Sequence, residues 1–120
     1  MRTCNYCKYT EEEIGKFPDS YGNCCSACKN GRPRYGLNRR EQNELLDKQG
    51  GKCALCEVDI KLHQGRGKKS GQIDHKPGTG VGTGKPPEVR GVLCFDCNKN
   101  ISNMDYDWFK KAAKYLYESL

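Results

Sequence analysis

Two sets of residues in this 120-residue chain can do chemistry. The first is the pair Asp74-His75 together with Asn98, which directly follows a cysteine. A carboxylate and an amide oxygen are hard donors, suited to a Mg2+ ion shared between protein and phosphate. A neutral imidazole beside them can take a proton from water. The second set is sulfur. Cys4-x2-Cys7 and Cys25-x2-Cys28 supply four thiols near the N-terminus, and Cys53-x2-Cys56 and Cys94-x2-Cys97 supply four more. Such a knuckle in a tight turn brings both sulfurs within reach of one tetrahedral zinc at about 2.3 Å. The spacing predicts two structural Zn2+ sites of four sulfurs each. A ninth cysteine leaves one ligand open. Cys24 could serve at x3 spacing to Cys28, whereas Cys25 keeps the x2 spacing of the other three knuckles.

The elements that must position these groups are readable. Zinc at Cys94 and Cys97 would fix Asn98 at a helix start, against the strand carrying Asp74. Ile73, and later Val89, Val92 and Leu93, predict two short strands joined by the loop Lys76 to Glu88. A helix opening around Cys97 follows. Neighbouring side chains on a regular strand point to opposite faces. Asp74 and His75 can flank one phosphate only if the strand ends or distorts there, and Pro77-Gly78 predicts an end. Between the cysteine blocks, Asn38 and Glu41 form an Asn version of the capping box over a helix from Arg39 to Gln49. Leu45 and Leu46 are its apolar contact, and Gly50-Gly51 stops it. A final helix is predicted from about Asp105 to Glu118. Its face of Trp108, Ala112, Tyr115 and Leu116 is expected to pack over the zinc module. His63 reads as a surface residue.

Composition narrows the function classes. Only 35% of residues are hydrophobic, against roughly 45–50% in ordinary globular domains. Metal sites would replace the missing core. No apolar run approaches the roughly 20 residues of a membrane span, and the start of the chain carries no apolar signal segment. Both observations favour reduced, metal-bound thiols in a cytoplasmic compartment over a secreted disulfide framework. No thioredoxin-like βαβ context surrounds any knuckle, which argues against a thiol–disulfide oxidoreductase. Lys and Arg number 21 against 15 acids, a net charge of +6, and favour a polyanionic partner. Arg66, Lys68 and Lys69 form one basic loop, and Arg32, Arg34, Arg39 and Arg40 flank the first cysteine block. These are either solvated charge or phosphate contacts that supply affinity rather than sequence reading.

The stretch Gln49 to Cys56, then Ile73-Asp74-His75, then Val89 to Asn98 closely resembles the phage recombination endonuclease VII family, a branch of the HNH or ββα-metal nucleases. The similarity runs from about Tyr35 to Tyr117. It implies a small α+β, zinc-stabilised fold with a ββα-metal (HNH, His-Me finger) core and flanking helices. Residues 35–120 would form the nuclease domain, and residues 1–34 an N-terminal zinc-knuckle extension. The resemblance further implies that Asp74 and Asn98 bind a catalytic Mg2+ or Mn2+ ion and that His75 is the general base. Cys53, Cys56, Cys94 and Cys97 would hold structural zinc, and Arg90 would touch phosphate. The expected activity is hydrolysis of DNA, double-stranded, by a monomer or homodimer encoded by a phage in a bacterial host. Two departures modify it. Pro77 stands where family members often carry a second histidine, and the chain ends at Leu120 without a long C-terminal dimerisation region. Nicking or double-strand cleavage is therefore expected rather than junction resolution. The rival class is a non-catalytic zinc-ribbon module that binds nucleic acid, which leaves Asp74, His75 and Asn98 unexplained.

Overall fold

The computed structural model describes residues 1–63, 67, 69–80, 82–101 and 105–120. Arg66 and Lys68 of the expected basic loop lie outside the described residues. The element order is α1 (Glu11–Ile14), a 3-10 turn (Asp19–Tyr21), α2 (Ser26–Tyr35), α3 (Arg39–Lys48), β1 (Gly71–His75), β2 (Val89–Cys94), α4 (Phe95–Ile101) and α5 (Tyr106–Glu118). This is a small α+β chain with two cores.

The first core is Cys4, Cys7, Phe17, Cys24, Cys25 and Cys28. Five of its six members are cysteines, so sulfur chemistry stands where aliphatic packing usually would. Glu11 ties the chain around it. Its carboxylate accepts the Arg2 backbone N–H at 2.7 Å, the Phe17 N–H at 2.8 Å and the Arg2 guanidinium at 3.1 Å. Those donors, the Arg2 backbone foremost, hold its carboxyl down at about 2.

The second core gathers Leu46, Cys53, Ile60, Leu62, Ile73, Val92, Leu93 and Cys94. Helix α3 joins the two. Asn38 caps it with the full capping box on Glu41, and Leu46 enters the second core. At its other end the Asn38 amide donates to Tyr6 O at 3.1 Å, and Arg40 Nε donates to Cys7 O at 2.9 Å. Helix α2 ends at Tyr35, with Gly36 as its left-handed C-cap.

Strands β1 and β2 form one antiparallel hairpin, pairing Gly71 with Cys94, Ile73 with Val92 and Asp74 with Gly91. The register then slips, and His75 pairs with Val89. Arg90 is the extra residue of a β-bulge, which bends the strand and re-aims nearby side chains. At Val92 the free edge of β2 is paired by the Ala54 N–H, which donates to Val92 O at 3.1 Å, and by the Gln49 amide. Gln49 Oε1 accepts the Val92 N–H at 2.9 Å, and its Nε2 donates to Val92 O and Lys52 O, each at 2.9 Å. A Cβ on Gly91 would sit 3.0 Å from Gln49 Oε1, so glycine lets this amide lie against the strand. Gln49→Ala should destabilise the second module by about 1–3 kcal/mol, because it strands the N–H of a fully buried Val92, whose O keeps the Ala54 N–H at 3.1 Å. A denaturant midpoint equal to wild type would contradict that.

Helix α5 departs from expectation. Trp108 is 47% exposed, Tyr115 72% and Leu116 61%, so the predicted face does not pack over the zinc module. Within α5 the half-buried positions are Ala112, a member of that face, and Phe109 beside it, and the Trp108 ring meets Phe109 edge to face at 5.3 Å. Tyr106 and Phe109 of its first turn line a pocket with Ala54, Leu55, Leu93 and Ile101, and the molecule is long, 59 × 33 × 22 Å. Its radius of gyration of 16.6 Å exceeds the roughly 13–14 Å of a compact chain this size.

Candidate active site and sulfur centres

Each cysteine block closes into a tetrad. The sulfurs of Cys4, Cys7, Cys25 and Cys28 lie within 4.8 Å of one another, as do those of Cys53, Cys56, Cys94 and Cys97. Cys25 rather than Cys24 therefore belongs to the first tetrad. A tetrahedron with 2.3 Å zinc–sulfur bonds has edges of about 3.8 Å. Cys7 and Cys25 sulfurs stand 3.9 Å apart and Cys56 and Cys94 sulfurs 3.7 Å, too far for a disulfide and right for a shared metal. Backbone N–H groups already point at the sulfurs: Arg39 N to Cys28 Sγ at 3.3 Å, and Leu55 N to Cys53 Sγ and Cys97 N to Cys94 Sγ at 3.4 Å each. Burial raises the Cys53 thiol, but backbone donors, Cys56 first, outweigh it and carry it to about 6. Burial and its sulfur neighbours push Cys97 up instead. Thiolates packed this closely oppose one another. Four together need a cation.

The second tetrad also builds the other site. Cys94 ends β2 and Cys97 lies in the first turn of α4, so closing the tetrad locks the hairpin to the helix that carries Asn98. Ile73, Asp74, His75, Pro77, Arg90 and Asn98 line one pocket of about 170 Å³. Sequence-expected Asp74, His75, Asn98 and Arg90 are thus brought together. Asp74 and His75, neighbours in sequence, share the pocket because the bulge interrupts the strand between them.

Arg90 does more here than sequence suggested. Its Nε donates to Asp74 Oδ2 at 2.7 Å and its Nη2 to Asp74 Oδ1 at 3.0 Å, a two-pronged pair. The Asp74 side chain is 10% exposed and that of Arg90 45%, so the cation reaches from a buried carboxylate to solvent. His75 is half-buried, with Nδ1 3.4 Å from Lys76 O. The Tyr35 ring lies 6.1 Å from the imidazole, tilted by 48°. Tyr35 at this site was not foreseen, because nothing in its local pattern points 40 residues down the chain. Lys69 is exposed and does not line this pocket, and neither does His63, also exposed.

The oxygens of Asp74 and Asn98 fit a hard divalent ion by donor chemistry, and the Arg90 fork would have to yield part of Asp74 to it. Among the described residues no helix is long and apolar enough to cross a membrane.

The family model for recombination endonuclease VII matches residues 28–118. The gene 59 protein of Mycobacterium phage L5 is 34% identical over 86 residues, covering 68% of this chain and 44% of that protein. The gene 59 protein of Mycobacterium phage D29 is 31% identical over 86 residues, with the same two shares. The chain thus spans less than half the length of these curated relatives. No solved structure matches it.

Proposed function

Because the chain belongs to the recombination endonuclease VII family, we propose that it is a phage-encoded HNH (ββα-metal) endonuclease hydrolysing phosphodiester bonds of double-stranded DNA. The observation that carries this reading is the shared pocket of Asp74, His75, Arg90 and Asn98 on a strand–strand–helix unit clamped by four cysteines. Zn2+ in both tetrads would be structural, since four sulfurs leave no open position.

Mg2+ or Mn2+ held by Asp74 and Asn98 would neutralise charge on the phosphate and on the departing 3′ oxygen. With its proton on Nδ1, toward Lys76 O, His75 leaves Nε2 free to accept one. His75 takes the proton of a water whose oxygen bonds to phosphorus, and the bond from phosphorus to the 3′ oxygen breaks. The exposed end of Arg90 stands where a phosphate enters and adds a charge-assisted contact. Tyr35 and the bulge keep the imidazole in place.

Supercoiled plasmid incubated with the protein should be nicked with added Mg2+ and stay intact without it. Binding without cleavage at any Mg2+ or Mn2+ concentration would favour the non-catalytic zinc-module class instead.

A further inference from the structure

The first tetrad lies almost wholly outside the matched residues 28–118, and the chemistry above does not use it. Its basic residues are not equivalent. Arg40 is spent on structure, with Nε on Cys7 O and its guanidinium 4.1 Å over the Tyr9 ring. Arg39 is partly buried. Arg2 is held by Glu11, and Lys16 lies beside Asp19. Lys8, Arg34, Lys29 and Arg32 are exposed and none makes an ion pair among the described residues, but of these four Lys29 and Arg32 line one recess. These two belong to α2, Ser-Ala-Cys-Lys-Asn-Gly-Arg-Pro-Arg-Tyr, a helix without a single acid.

Geometry prepares these two cations for an anion. Three residues apart, they are neighbours on the helix surface, and together with Tyr6, Cys24 and Cys28 they line a recess of about 480 Å³. Arg32 is stacked 4.5 Å over Tyr6 and Lys29 stands 4.9 Å over Tyr21. Stacking on a ring fixes a flexible side chain while leaving the guanidinium edge free to donate. The ordering cost of binding a phosphate there is largely met in advance. The next residue of the same three-residue step is Tyr35, whose ring faces His75. Lys29 and Tyr35 are separated by about 9 Å along the helix axis and about 120° around it, so recess and pocket lie on adjoining sides of α2.

We propose that the Lys29–Arg32 face of the N-terminal cysteine module is a second phosphate-binding site, which grips the DNA backbone beside the cleavage pocket. It rests on the reading of the chain as a DNA nuclease. The module extends the grip on substrate without touching the reacting phosphate.

The test is duplex binding across a salt series without added divalent metal, read by fluorescence anisotropy with zinc content as the fold control. Each phosphate contact contributes about 0.9 to the log–log salt slope. Lys29→Ala/Arg32→Ala should therefore flatten it by nearly two units, and Lys29→Gln alone by about one. Between 50 and 200 mM salt, wild type should then lose about tenfold more affinity than the double variant. Lys29→Arg/Arg32→Lys should keep the wild-type slope. An unchanged slope in the double alanine variant, with wild type binding and nicking DNA, overturns this site and leaves the nuclease reading intact. An equal flattening in Lys110→Ala/Lys111→Ala, on exposed α5, also overturns it, since net charge alone would then explain the effect. A wild-type chain that neither binds nor nicks duplex DNA removes both.

Discussion

His75→Ala should nick plasmid about 10²–10⁴-fold more slowly than wild type, the usual loss on removing a general base, while retaining zinc, fold and DNA affinity. The side chain is half-buried, with the Tyr35 ring 6.1 Å away, and it is not part of the buried core, so its truncation should leave the hairpin standing. Asp74→Ala should lose cleavage for a different reason. It deletes the carboxylate that would bind the divalent ion and frees the Arg90 fork, so DNA binding should tighten while hydrolysis fails. Asn98→Ala removes a neutral donor, and raised Mg2+ or Mn2+ should restore part of its activity. The same titration should leave His75→Ala unrescued, because no metal concentration replaces the lost proton acceptor. The measurement is nicking rate against metal concentration for the three variants. Wild-type cleavage by His75→Ala would end this mechanism, though not the family membership.

Cys53→Ser or Cys97→Ser should unfold the second module outright. A structural zinc site contributes on the order of 10 kcal/mol to folding, against a total stability of about 5–15 kcal/mol for a whole domain. Cys53 is itself one of the eight buried residues of that core and Cys97 packs against it, so each change also places a polar hydroxyl against apolar neighbours. Cys24→Ser is the matched contrast. Cys24 lies outside the first tetrad, and its replacement should keep two zinc ions per chain. Elemental analysis and circular dichroism together decide the matter. A chain that stays folded with zinc near zero would refute the structural role of both centres.

What was legible in the sequence was whatever depends on short spacing. The Cys-x2-Cys knuckles, the Asn38 capping box and the order of strand, strand and helix are local patterns, and each has its counterpart in the structure. What escaped depends on contacts between distant residues. Gln49 reaches Val92 across 43 positions, and no property of a glutamine after a helix predicts that it will complete a strand edge. The Arg90 fork on Asp74 spans 16 positions and follows from the bulge. Periodicity misled at α5. An amphipathic stripe shows that a helix has an apolar face, but not that the rest of the chain has surface to cover it. Helix α2 was missed because its lysine, arginines and proline give no apolar stripe to read.

The slip at Arg90 bears on which changes in length the protein tolerates. A strand alternates with period two, so one extra residue acts as a phase shift between the segment before it and the segment after. Replacing Arg90 alters a side chain. Deleting it restores the phase, sends Asp74 and His75 back to opposite faces, and pulls Pro87 and Gly80 away from the end of α2 against which they rest. The exposed glycine-rich tip at residues 82–84 has no such clock to keep, and doubling a loop there costs only about 0.6 kcal/mol. Insertions and deletions during divergence should accordingly accumulate at the tip of the hairpin and be absent from its base, where residue count itself is the functional trait.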